Sequence, residues 1–132
     1  MNLDFKKLCE ISDRTLSDIL SGALYGNSFF GVDYDEKEYN ETKKQMKEDV
    51  CFEDVLAQMV LDGKSILFTD EEDLEHEDEP EKWTLTKEKL ESGVEAFFTK
   101  CSSRISEFFN DPDMFTDWAF IQCCLFGDEV FG

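Results

Sequence analysis

Twelve consecutive residues, Asp70 to Glu81, read DEEDLEHEDEPE and carry nine acids. Self-repulsion keeps such a stretch extended and wet, and Pro80 ends it. The chemistry changes sharply on both sides. Ser65–Thr69 (SILFT) reads as a short buried strand. Trp83–Thr86 (WTLT) resumes strand chemistry after the acids. The two runs are therefore expected to pair as a hairpin, with the acidic stretch as its long loop.

The same sign of charge prevails over the whole chain. Thirty-two Asp and Glu stand against 13 Lys and Arg, a formal net charge of −19 and a pI near 4.2. Direct nucleic-acid binding through a basic surface needs the opposite sign, and adsorption to anionic lipid is disfavoured for the same reason. Disorder is not the consequence, despite a mean hydropathy of −0.44. Hydrophobic residues make up 41% of the chain and 13 of its 132 residues are Phe. That is enough apolar mass for one core, and the length suits a single domain over residues 1–132.

The remaining segments read mostly as helix. Ser12 or Asp13 is placed to cap a helix carrying Leu16, Ile19, Leu20 and Leu24 on one face, stopped by Gly26 and Asn27. Ser28–Tyr34 (SFFGVDY) is an aromatic strand candidate. Residues 35–49 form a charged segment that is either a solvated helix or a loop. Phe52–Leu61 is predicted helical, with Val55, Leu56, Met59 and Val60 inward and Gly63 at its left-handed stop. Thr86 caps the next helix, whose stripe is Leu90, Val94, Phe97, Phe98 and Cys101, and Gly93 inside it points to a close packing contact. Ser102–Phe109 continues or restarts that helix with Ile105, Phe108 and Phe109 inward. Asp111 and Pro112 are a start signal for a last helix bearing Phe115, Trp118, Ile121, Gln122 and Leu125, ending at Gly127. The expected fold class is α+β: a small antiparallel sheet, the hairpin plus one or two short strands, against three to five helices.

Residues able to do covalent chemistry are sparse. The five cysteines (Cys9, Cys51, Cys101, Cys123, Cys124) contain no CxxC pair and read as small apolar residues in a reducing cell; a redox role for the adjacent Cys123 and Cys124 is the other reading. The one histidine, His76, sits inside the acidic stretch, a poor setting for a Ser–His or Cys–His pair. Glycines form neither GxxxxGK nor GxGxxG, and no EF-hand pattern occurs. These absences lead us to expect no catalytic residues, no metal and no cofactor. Met1–Glu10 lacks the apolar core of a signal peptide, and no run reaches a membrane span, so a cytoplasmic location is expected.

Three stretches, CFEDVLAQMVLDGKSILFTDEED, KWTLTKEKLESGVEAFF and WAFIQCCLFGDEVFG, occur in an order and spacing that resemble a family of short acidic proteins of phages and prophages from Gram-positive bacteria. Members pair a helix–Gly–strand unit with a W-x-L-T-x-E strand-to-helix turn. They end in an aromatic-rich helix and a Gly-acid-x-V-aromatic-Gly tail. The resemblance spans residues 50–132, and the tail is its most specific part. Met1–Asp49 matches only loosely, and Cys123 and Cys124 stand where many relatives carry other residues. What it implies is a setting, a mobile genetic element inside a bacterial host, and no catalytic residue. The tail also has a purely structural reading, in which Val130 and Phe131 fold back on the core.

Charge and setting together suggest a binding protein that mimics DNA. A domain of this length has a radius of gyration of about 14 Å and is about 36 Å across. Nineteen charges correspond to about 32 Å of duplex. The expected function is inhibition of a host nuclease or other nucleic-acid-binding defence protein, of the anti-CRISPR or anti-restriction type, by occupying its basic groove. The candidate binding residues are Asp70, Glu71, Glu72, Asp73, Glu75, Glu77, Asp78 and Glu79, with a second patch at Glu36, Glu38, Glu41 and Glu48. The blander reading of the same acids is solvated surface that confers solubility. The alternative function is a small phage structural or adaptor protein acting through apolar contacts around Phe29, Phe30, Trp118 and Phe120. An uncharacterised hydrolase would instead require an ordered carboxylate cluster in a concave pocket.

Overall fold

In the computed structural model, which describes residues 4–25, 30–70 and 82–130, most helices begin where a side chain closes the first turn. The Asp4 carboxylate accepts the Lys7 amide at 2.7 Å and opens α1 (Phe5–Ser12). Helix α1 ends at Asp13, whose φ of 55° is left-handed. Helix α2 (Leu16–Tyr25) starts with a reciprocal pair: the Thr15 hydroxyl accepts the Asp18 amide at 3.2 Å, and the Asp18 carboxylate accepts the Thr15 amide at 3.0 Å. Ser12 and Asp13 therefore finish α1 and do not cap α2, contrary to the sequence expectation. Phe5 and Leu8 are the two buried side chains of α1, an apolar signal too short to announce a helix.

The sheet has three antiparallel strands, β1 (Phe30–Asp33), β2 (Ile66–Asp70) and β3 (Lys82–Leu85), with β2 in the middle. Phe68 lies opposite Val32 on one side and Trp83 on the other. The hairpin expected across the acidic stretch is thus present in its strands. Period-two alternation sends Phe30, Ile66, Phe68 and Leu85 to a buried face, leaving Asp33, Leu67, Thr69 and Lys82 on the other.

Between β1 and β2 run α3 (Glu36–Gln45) and α4 (Phe52–Leu61). After β3 come α5 (Lys87–Lys100), a 3-10 turn (Ser102–Arg104), α6 (Ile105–Asn110) and α7 (Met114–Phe126). Seven α-helices among the described residues exceed the three to five expected, because α1 is an independent helix, the charged segment is helical, and α6 restarts after a break at Cys101. The α+β architecture itself is as expected.

Helix α7 is the axis of the core: every residue from Thr116 to Leu125 is buried. Trp118 meets the sheet through Phe30 and Phe68, with ring centroids 4.9 and 6.2 Å apart. Phe120 packs with Phe97 at 5.5 Å and Phe108 at 5.7 Å. The helix starts at Asp113, whose carboxylate accepts both the amide and the hydroxyl of Thr116 at 2.8 Å. Asp111, the expected cap, instead closes α6, and its proline is spent in the link. Gly127 ends α7 with φ 79°, as expected. Phe115 falls outside the apolar stripe proposed for it and is 59% exposed.

Polar contacts hold the tail. The Val130 amide donates to Gln122 Oε1 at 2.8 Å, and Glu129 takes two 2.8 Å hydrogen bonds from Arg104. The Val130 side chain is 59% exposed, so the expected apolar docking of that residue is corrected; Phe131 lies outside the described residues. No described helix is long and apolar enough to cross a membrane.

Candidate functional site

Helix α3 turns the charged segment 35–49 into an ordered surface. Asp35 caps it by accepting the Glu38 amide at 2.9 Å. Glu36 and Glu38 lie in its first turn and Lys43 and Lys44 in its last, each sign where the helix dipole favours it. Its anchors are Tyr39 and Thr42, which share a face at i, i+3 spacing. Tyr34, Tyr39 and Phe52 form a ring cluster with centroids 4.9, 5.5 and 5.8 Å apart. Thr42 is 1% exposed, and its hydroxyl accepts from Lys64 Nζ at 2.9 Å. Burial, then the neighbouring Tyr34 and Glu53, pushes the Tyr39 phenol upward. Sequence reasoning passed over these anchors, although the pair was legible as the only Tyr and Thr spaced one turn apart in the segment.

The acids predicted as a second patch do not make a uniform negative face. Glu36 and Glu41 line one open surface together with Lys37 and Lys44. Glu38 is half-buried, and Glu48 is exposed in the following loop, next to Asp49 with its left-handed φ of 71°. Three lysines on α3 offset its three glutamates, and fields from such alternating charges cancel over a short distance.

Asp70 closes β2 and lies half-buried opposite Phe30. Glu71, Glu72, Asp73, Glu75, Glu77, Asp78 and Glu79 lie outside the described residues, as does His76. What the structure does give is their points of attachment. The chain leaves β2 at Asp70 and re-enters at Lys82, in adjacent strands paired through Thr69 and Lys82. Asp33 and Asp35 follow the opposite end of β1, three residues from Phe30, or about 10 Å along the strand. Asp70 and Asp33 thus lie at opposite ends of the β1–β2 pairing, further apart than the roughly 8 Å screening length at physiological salt.

Many acids of the described body are engaged in holding the fold. The Tyr25 hydroxyl donates to Glu53, and Asp54 accepts from the Ser17 hydroxyl and the Cys51 amide. Those two bonds hold the Asp54 carboxyl below its ordinary range, and the Thr116 amide and hydroxyl do the same for Asp113. Asp117 receives Arg14 Nη1 and Nη2 at 2.7 and 2.8 Å. Burial pushes the Asp117 carboxyl up, and the Arg14 bonds oppose that push. By contrast, eight of the 32 acids fall within residues 71–81.

The apolar surface considered for an adaptor is corrected by burial. Phe30, Trp118 and Phe120 are core side chains, and Phe29 lies outside the described residues. Among the described residues, Met114 and Phe115, at the start of α7, are an adjacent large apolar pair that is exposed. Cys101 Sγ and Cys123 Sγ lie 3.4 Å apart in the core, while Cys124 packs elsewhere, so the adjacent cysteines do not face each other as a pair. Burial drives the Cys123 and Cys124 thiols far above their ordinary range, which disfavours the reactive thiolate. Comparison with protein-family models, curated proteins and solved structures finds no match to this chain.

Proposed function

We propose that this chain is an acidic binding protein that occupies the basic groove of a nucleic-acid-binding protein in place of DNA. One observation carries the reading: eight acids are concentrated in the eleven residues that join two adjacent, paired strand ends. A hairpin base holds both ends of that connection, at Asp70 and Lys82, in adjacent strands. Eight charges match about 14 Å of duplex. The surface of α3 contributes less, because its lysines offset its acids.

The resemblance to short acidic phage proteins supplies the setting. In that setting the partner is a bacterial nuclease or DNA- or RNA-binding defence effector, of the restriction or CRISPR type, and the consequence of binding is inhibition. The chain acts by occupancy, without catalysis, inside the host cytoplasm. The alternative, an adaptor working through apolar contacts, has Met114 and Phe115 as an adjacent exposed pair among the described residues.

The test is a tagged pull-down from a lysate with intact defence systems, read by mass spectrometry at about 0.1 M and about 1 M salt. Between these the screening length falls from about 10 Å to about 3 Å. A basic effector retained only at low salt, and lost when Asp70–Asp73 and Glu77–Glu79 are neutralised, supports the decoy. Recovery unaffected by salt and by those substitutions sinks it, and loss on changing Met114 and Phe115 points to the adaptor.

A further inference from the structure

Two thiols distant in sequence meet where α5 ends. The Sγ atoms of Cys101 and Cys123 lie 3.4 Å apart, and both side chains are buried. Cys101 follows α5 with φ −120° and ψ 40°, and Cys123 lies near the end of α7, where its carbonyl accepts the Gly127 amide at 3.0 Å. A disulfide brings its sulfurs to about 2.0 Å, so the gap has to close by about 1.4 Å, shared between the two side chains. Cys101 already stands outside helical geometry, so its side chain can follow without unwinding α5. No third His, Cys, Asp or Glu among the described residues joins the pair as a metal-ligating group.

The two sulfurs differ in access. Cys101 is followed by the exposed Ser102 and Ser103 in a single 3-10 turn, whereas Cys123 is flanked on α7 by the buried Gln122 and Cys124. Burial, then the contact with Cys101, pushes the Cys123 thiol up, so Cys123 is not the group that meets an oxidant first. Local opening of the short turn uncovers Cys101 instead. The same turn carries Arg104, which holds Glu129 of the tail through two 2.8 Å hydrogen bonds.

We propose that Cys101 and Cys123 are an oxidation site for hydrogen peroxide, which closes a reversible disulfide tying the end of α5 to α7. The Cys101 sulfur attacks one peroxide oxygen and is oxidised by two electrons. An S–O bond forms, the O–O bond breaks, and the departing hydroxide takes the Cys101 proton as water. The Cys123 sulfur then attacks the Cys101 sulfur. An S–S bond forms, the S–O bond breaks, and hydroxide leaves with the Cys123 proton as a second water. The closed loop, residues 101–123, holds the 3-10 turn, α6 and most of α7, so the bond restricts the unfolded chain and staples the turn that anchors the tail. This is independent of the decoy reading, since no acid of residues 70–81 takes part.

The experiment treats the native full chain carrying Cys51→Ser, which removes the exposed thiol and leaves four of the five, with hydrogen peroxide. Ellman titration in denaturant is then expected to find two thiols lost, and the mass falls by two hydrogen atoms. Trypsin, cutting after Lys100 and Arg104, releases residues 101–104 linked to the peptide that begins at Ile105, and dithiothreitol separates them. The urea midpoint rises on oxidation and returns on reduction. Adding Cys124→Ala keeps the link, and adding Cys101→Ser abolishes it. Should the Cys101→Ser protein fail to fold, the peptide map of the Cys124→Ala protein decides, because Cys123 is then the only cysteine after residue 104. Retention of all four thiols, a link through Cys124 or Cys9, or a lower urea midpoint after oxidation overturns the proposal.

Discussion

Gly93 of α5 lies against Cys124 of α7 so closely that a Cβ on the glycine would stand 2.3 Å from Sγ and 2.8 Å from the Cys124 Cα. The two longest helices of the described fold cross at this point, and the missing side chain is what lets them approach. A sulfur can rotate away, but a backbone atom at 2.8 Å cannot. Gly93→Ala gains about 1 kcal/mol of helix propensity and still destabilises the protein by about 2 kcal/mol net, because overpacking forces the helices apart. Urea unfolding is expected to show a lower midpoint with an unchanged slope. Adding Cys124→Ala recovers only part of the loss.

Arg14 and Asp117 form the most deeply buried ion pair described, with side chains 13% and 5% exposed. Asp117→Ala strands the guanidinium and is expected to cost about 3–5 kcal/mol. Replacing both partners by apolar residues of similar size, as in Arg14→Met with Asp117→Leu, costs much less than the single change. A double-mutant cycle by chemical denaturation measures the difference. Gly22→Ala acts on the same site, since its Cβ would overlap the Asp117 carboxylate.

Asp113 ties its stability contribution to pH. Its carboxyl is held low by the Thr116 amide and hydroxyl, so the contribution is fully present above the unfolded value of about 3.9 and is lost as pH falls through the folded value. Asp113→Asn keeps the cap and removes the titration, so its stability near neutral pH matches the parent while its acid limb is shallower. Asp113→Ala removes the cap and costs about 1 kcal/mol near neutral pH, a difference that shrinks in acid as the parent loses its own contribution. Thermal melts at several pH values between neutrality and about pH 3 distinguish the two.

Thiol chemistry should separate the five cysteines. Cys51 is exposed, Cys9 is half-buried with its thiol pushed up to about 11, and Cys101, Cys123 and Cys124 are buried. Ellman's reagent at neutral pH is expected to titrate one thiol rapidly in the native protein and all five in denaturant. Cys51→Ser removes the fast phase. A fast thiol beyond Cys51 and the half-buried Cys9 would mean that the α5–α7 contact opens readily.

Tyr39 is the centre of the cluster that seats α3. Tyr39→Ala removes two ring contacts, each worth about 1 kcal/mol beyond its buried area, and is expected to loosen α3 selectively. Hydrogen exchange should rise across residues 36–45 while amides of α7 stay protected. Uniform acceleration in both helices would show that α3 is part of the same cooperative unit.

The amino-acid sequence by itself determined those features that depend on residues three or four apart. The limits of α4, the Thr86 cap, the stop at Gly127 and the hairpin strands on either side of the acidic stretch were all legible, because capping and periodicity are local. The need for a close contact at Gly93 was legible too, but its partner was not. Tertiary structure alone decided that Cys124 fills that gap, that Arg14 meets Asp117 across 103 residues, and that Asp113 rather than Asp111 opens α7. Among the described residues it also divided the acids into those that hold the fold and those balanced by lysines on α3. Net charge is a sum over the chain, whereas a binding surface is a placement in space, and placement follows from how much apolar area the whole core can bury at once.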